Sequence, residues 1–146
     1  MYGDKVHLGV DVGVVHGTNI HASREGVIEF IDTNPRTGLD VRIVTVINGR
    51  LFRHIYEHLL GYQGQKGDPV VTGQLIGWAD NTGYSSADHL HFQLEEWNGT
   101  IWIPVNPETY MSDLYATDVL WANDKLKYAS EQIAILAEKV ADYMRK

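Results

Sequence analysis

The sequence predicts a mostly β protein: a compact antiparallel β-sheet domain built from hairpins, followed by a C-terminal amphipathic α-helix. Three observations carry this reading. Asn48-Gly49 lies between two β-rich runs, DVRIVTVI and RLFRHIYEHLL, and Asn-Gly in that setting is the strongest short hairpin signature. Fourteen glycines and frequent Val/Ile pairs favour strands joined by tight turns. From about Ser112 the pattern changes to apolar residues at 3.5-residue spacing, with charges on the other positions.

In chain order, residues 6–13 (VHLGVDVG) alternate and read as a strand. Gly17-Thr18-Asn19 marks a turn, and NIHAS leads into a second strand, EGVIEFID. Asn34 to Gly38 is a loop, followed by the Asn-Gly hairpin over 40–60. Residues 61–77, with glycine every few positions, read as a turn-rich β region. The polar loop DNTGYSSA (80–87) delivers the chain into HLHFQLEEW (89–97). Asn98-Gly99 reads as another hairpin turn, TIWIPV returns, and Asn106-Pro107 closes the β region. As a glycosylation acceptor, Asn98-Gly99-Thr100 is the weaker reading. Residues 1–111 are then the β domain and 112–146 a helical tail. The tail stripe runs through Val119, Ala122, Leu126, Ala129, Ile133, Leu136, Val140 and Tyr143 with no Gly or Pro to break it. It either folds back on the β domain or serves self-association or docking into a larger assembly.

Composition excludes several classes. No window holds the roughly 18 apolar residues of a membrane span. The net charge of −7 argues against a general nucleic-acid binder. Six acids and five bases fall in the tail, which leaves thirteen and seven in the β domain, so that domain is itself acidic. With no cysteine, disulfides, thiolate metal sites and cysteine catalysis are all excluded. The N-terminus, Met1-Tyr2-Gly3-Asp4-Lys5, carries no signal-peptide core.

Seven histidines are many for 146 residues. His89, His91 and Gln93 share one face of a strand, while Leu90, Phe92 and Leu94 take the other. His7 and Asp11 share a face, with Gly9 leaving the space between them open. His58 lies near the end of the hairpin's second strand. A His/Asp/His set suits a borderline-soft divalent metal, zinc before others, and three protein ligands leave a fourth position for water. Two further histidines in the same cleft could handle protons. The bland alternative is a set of solvated strand histidines.

At these residues the sequence resembles the lysostaphin/LytM-type zinc metalloendopeptidases, which cleave peptidoglycan peptides. His7-Leu8-Gly9-Val10-Asp11 looks like H-x-G-x-D, and Gly17 to Ala22 with Gly26-Val27-Ile28 looks like G-T-x-V-x-A…G-x-V. Tyr56-Glu57-His58-Leu59 is similar to Y-x-H-L. Lys66-Gly67-Asp68 and Gly73 to Gly77 resemble K-G-D…G-Q-x-I-G. Thr82-Gly83-Tyr84-Ser85 with His89-Leu90-His91-Phe92 resembles T-G-x-S…H-L-H-F. The motifs agree in order over about residues 6–111.

The resemblance implies that His7, Asp11 and His91 bind Zn2+, and that His58 and His89 are the catalytic pair beside it. It implies a peptidoglycan peptide substrate, hydrolysis by a metal-activated water, and an extracytoplasmic place of action: secreted, in the cell envelope, or in a phage particle. The alternative it leaves open is a non-hydrolytic module of the same fold, a structural component of a phage tail or an activator of wall hydrolysis. The sequence departs from the pattern at Asp88, where a small residue or Pro is expected, and at Asp80-Asn81, where glycine-rich sequence is common. His16, His21 and His54 match no functional position. His54 shares an alternating face with Tyr56 and His58, so it either lines the groove or takes a solvated or packed role; Trp78, Trp97 and Trp102 are expected to pack rather than to serve as groove aromatics.

Overall fold

A computed structural model describes residues 6–108 and 138–145. Nine strands form one antiparallel sheet: β1 (Val10–Gly13), β2 (Asn19–His21), β3 (Gly26–Asn34), β4 (Gly38–Ile47), β5 (Arg50–Tyr62), β6 (Pro69–Val70), β7 (Leu75–Ala79), β8 (His89–Trp97) and β9 (Trp102–Val105). The main path runs β1-β8-β5-β4-β3-β6, with β7 joining β2 to β5 and β9 added to β8.

The β4–β5 hairpin forms as expected. Asn48 and Gly49 both have positive φ, 50° and 75°, the two left-handed residues that a two-residue hairpin turn requires. β8 also matches its sequence reading, His89 to Trp97.

Two elements differ from expectation. The strand expected over 6–13 is confined to Val10–Gly13, and His7 lies in the segment before it. The reason is competition for one edge of β8. β1 pairs with His89 to Phe92, and β9 takes Leu94 to Trp97 on the same side, so β1 has no partner beyond Val10. The Asn98-Gly99 turn is also longer than a two-residue hairpin, since Trp97 pairs with Trp102. Asn98 Oδ1 accepts from the backbone N–H of Thr100 and of Ile101, at 2.9 Å each, and so closes a four-residue loop.

β4 and β5 are central and buried on both faces. One face carries the main core, with Ile20, Ile28, Val41, Ile43, Tyr56, Leu59, Ile76 and Phe92 closed over by the β2–β7 pair. Each such side chain contributes about 1.5–3 kcal/mol on burial, whereas an exposed pair such as Arg50–Glu96 contributes about 1 kcal/mol or less. The core therefore holds the domain together.

The opposite face is covered in part by the helical residues 138–144. Val140 is buried against Val44, with Val27, Val46, Leu51 and Trp102 around it. Trp102 Nε1 donates to the Tyr143 hydroxyl at 2.9 Å, and Trp97 packs on both rings. Where it is described, the tail folds back on the sheet. The rest of the apolar stripe, Val119 to Leu136, and the expected boundary at 111/112 lie outside the described residues.

Candidate metal centre and active site

The site forms where β1 crosses the start of β8. Asp11 and His91 are direct partners in that ladder. His91 Nδ1 stands 2.8 Å from Asp11 Oδ1. His7 Nε2 lies 3.1 Å from both atoms. Gly9 makes this approach possible, because a Cβ there would run into the Phe92 carbonyl and stand 2.8 Å from His91 Nε2. His7 and Asp11 have side chains 53% and 49% exposed, so the centre is open on one side.

These residues suit a metal on the chemistry of their donors. Two imidazole nitrogens and one carboxylate oxygen converge on a single point. Ligands set tetrahedrally at ordinary zinc–nitrogen and zinc–oxygen distances would stand about 3.4 Å apart, so a small spreading of the three accommodates the ion. Burial works to raise the Asp11 pKa. The hydrogen bond from His91 and the imidazoles of His7, His89 and His91 outweigh it, and hold the carboxyl below its usual value and thus ionised.

The other two histidines stand beside this centre. The His58 and His89 ring centroids are 4.7 Å apart, and those of His58 and His91 are 6.1 Å apart. His58 Nδ1 lies 2.7 Å from the Thr82 carbonyl, which can only accept, so Nδ1 carries the hydrogen and Nε2 is left free when the ring is neutral. The same reasoning applies to His89, whose Nδ1 is 2.8 Å from the Ala87 carbonyl and whose Nε2 faces Asp11 Oδ1 at 3.6 Å. Burial, the largest influence, lowers the His58 pKa; the Thr82 bond opposes it, and His89 and His91 lower it further. His58 is therefore kept neutral near pH 7.

His58 reaches the site because β5 bulges. Leu39 pairs with Leu59 and Val41 with Tyr56, so β5 holds one extra residue there, and His58 adopts φ 64°. By alternation His54, Tyr56 and His58 would share a face. The bulge instead turns His58 towards His89 and His91, while Tyr56 stays on the core side against Phe92. His54 is 3% exposed and packs beside Phe92; of the two roles open to it, packing is what the structure gives. Trp97 and Trp102 pack beneath the helix, away from the histidines.

Thr82 is the residue whose importance sequence reading missed. Its hydroxyl donates to the Leu59 carbonyl at 2.8 Å and accepts from the Leu39 N–H at 3.2 Å, while its own carbonyl holds His58. Its place in the T-G-x-S motif was the available signal. Glu57, the direct partner of His91 across β5–β8, was also passed over; burial raises its pKa while His91 opposes the shift.

A model of Peptidase family M23 matches residues 5–107. The chain belongs to that family. Glycyl-glycine endopeptidase ALE-1 of Staphylococcus capitis is 41% identical over 88 residues, 60% of this chain and 24% of that protein. Lysostaphin of Staphylococcus simulans is 39% identical over 89 residues, again 60% of this chain but 18% of lysostaphin. The DD-carboxypeptidase/endopeptidase Mpg of Neisseria meningitidis is 31% identical over 128 residues, 88% of this chain and 27% of Mpg. The M23 chain thus spans about a quarter or less of these relatives.

Among solved structures, the lysostaphin catalytic domain from Staphylococcus simulans aligns with a TM-score of 0.63 at 32% identity, covering 73% of this chain and 79% of that one. The catalytic domain of a prophage-encoded M23 protein, EnpA of Enterococcus faecalis, aligns with a TM-score of 0.64 at 30% identity, covering 75% and 82%. A zinc-containing peptidase from Vibrio cholerae aligns at 0.58 with 27% identity, covering 66% and 29%. The mostly β architecture read from sequence is the fold of these M23 domains.

Proposed function

We propose that this chain is a zinc-dependent endopeptidase that hydrolyses amide bonds in peptidoglycan stem peptides or cross-bridges, and that it acts outside the cytoplasm, where that substrate lies. The observation that carries the reading is the meeting of five side chains at one solvent-open site: His7, Asp11 and His91 with converging ligand atoms, and His58 and His89 beside them. Relatives named as glycyl-glycine, DD-endopeptidase and lysostaphin enzymes support the substrate class.

His7 Nε2, Asp11 Oδ1 and His91 Nδ1 would hold the zinc. Bound there, zinc supplies Lewis acidity and makes water a competent nucleophile near neutral pH. The remaining chemistry falls to the histidine pair. His58, kept neutral and with Nδ1–H tied to Thr82, presents Nε2 to accept a proton from the attacking water. His89, oriented by Ala87 and Ser85, presents Nε2 on the same side: with a hydrogen on both ring nitrogens it donates to the developing negative charge on the carbonyl oxygen, and as the neutral ring it accepts from the water and orients it. The accepted proton then passes to the leaving amine, which closes the proton balance of hydrolysis.

The test is digestion of synthetic substrates by the full chain: an oligoglycine bridge and a D-Ala cross-linked muropeptide, with free amines counted. New amine from either, abolished by a chelator and restored by zinc, supports the reading. No cleavage of either by zinc-loaded protein, with intact walls also left uncut, would reject it.

A further inference from the structure

We propose that His16, Asp80 and Asp88 form a second divalent-cation site, distinct from the His7–Asp11–His91 centre, that takes zinc or manganese and anchors the loops behind the catalytic histidines. Each of the three offers one ligand atom, and those atoms all lie within 4.8 Å of one another. His16 Nδ1 and Asp80 Oδ1 are 3.0 Å apart. One imidazole and two carboxylates suit a first-row divalent ion better than calcium, which takes oxygen alone. The His16 side chain is 58% exposed, so water can complete the coordination shell.

The convergence is built by the backbone. His16 sits in the tight turn Val15–Thr18, which the Thr18 N–H and hydroxyl close onto the Val15 carbonyl. That turn is locked to the end of β7: Gly17 N–H donates to the Ala79 carbonyl and Ala79 N–H to the Thr18 carbonyl, at 2.8 Å each. Asp80 follows directly, with its side chain 13% exposed. Asp88 immediately precedes β8. Three separate segments thus deliver their ligands to one place.

The charge balance there asks for a cation. Two carboxylates meet one imidazole, and among the described residues no Lys or Arg forms an ion pair with Asp80 or Asp88. All three positions are among those that the resemblance left over, since His16 matches no functional position, and Asp80 and Asp88 depart from the pattern. The site would thus be a property of this chain's own sequence.

Its consequence lies in what Asp80 touches. Asp80 N–H donates to the His58 carbonyl at 3.1 Å, and the Asp80 carbonyl accepts from the His89 N–H at 3.3 Å. One residue therefore ties together the backbones of both candidate catalytic histidines. An ion on its side chain would fix their spacing.

The experiment counts zinc per chain after the metal-stripped full chain is dialysed against zinc, and uses Asp11→Ala to disable the first centre. That background separates this proposal from the functional reading. Asp11→Ala is expected to keep one ion, and the Asp11→Ala, His16→Ala double variant to lose it, with affinity about tenfold or more weaker. Zinc should raise the Tm of the single variant and leave that of the double variant unchanged. Asp88→Asn, at a loop position before β8, repeats the test should His16→Ala not fold. Equal zinc binding in Asp11→Ala and in both double variants, or none in Asp11→Ala, would overturn the proposal.

Discussion

Asp11 and His91 face each other as direct partners across the β1–β8 ladder, with His91 Nδ1 2.8 Å from Asp11 Oδ1. A backbone register, not a flexible loop, sets this separation, so the pair is pre-positioned for an ion. Replacing Asp11 by Ala removes the one anionic donor of the three. Zinc binding at the first centre is then expected to weaken about a hundredfold or more, as isothermal titration would measure.

Gly9 carries the same approach from the other side. Gly9→Ala would push a methyl group against the Phe92 carbonyl, which is backbone and cannot step aside, and against His91 Nε2. We expect weaker zinc binding together with lower thermal stability, read by titration and calorimetry. An unchanged affinity would show that β1 can shift without disturbing His7 and Asp11.

His58→Ala and His89→Ala should separate binding from chemistry. Both residues lie outside the converging ligand set, so zinc content should match the wild type. Hydrolysis should fall by about a hundredfold to ten-thousandfold, the usual contribution of a positioned acid or base. Loss of zinc from either variant would make that residue a ligand instead.

How much of this was legible in the sequence depends on whether the controlling contact is local. The Asn48-Gly49 hairpin and β8 are set by turn chemistry and alternation, and both read directly. The approach of His7, Asp11 and His91 came from motif order and from the open face at Gly9. The shortness of β1 was hidden, because it depends on β9 taking the rest of β8's edge some ninety residues later. The β5 bulge was hidden too. Strict alternation puts His58 with His54 and Tyr56, and only the pairing of Leu39 with Leu59 reveals the extra residue. Asn98-Gly99 misled in a smaller way, since the Asn98 side chain caps a longer loop.

His54 gives a pH dependence that is independent of the metal. It is buried with Nδ1 against Ser23 Oγ, and Nε2 has no hydrogen-bond partner among the described residues. Burial first, then the Arg24 charge, push its pKa down to about 4 from 6.5. The unfolded chain therefore binds this proton between about pH 6.5 and pH 4 while the folded chain does not. Stability is full above pH 6.5 and falls as pH drops towards 4, by on the order of 3 kcal/mol from this group. Urea unfolding at several pH values measures it, and His54→Gln should flatten that slope.

Val140 tests the seating of the tail. It is buried against Val44 beneath the helical residues 138–144. Val140→Ala should destabilise the protein by roughly 1–2 kcal/mol through the lost methyl groups and the space they leave. Val140 shares the sheet face of His89 and His91 but packs beside Val44 and Trp102, none of which touches the histidines, so hydrolysis at a temperature well below the Tm should be unchanged.

The most direct test of the central claim is release of free amines from purified peptidoglycan by the zinc-loaded chain, run beside His58→Ala and a chelator-treated sample. The account expects release by the wild type, none after chelation, and release reduced at least about a hundredfold in His58→Ala with zinc retained. Equal release by His58→Ala and wild type, or release indifferent to the chelator, would contradict it.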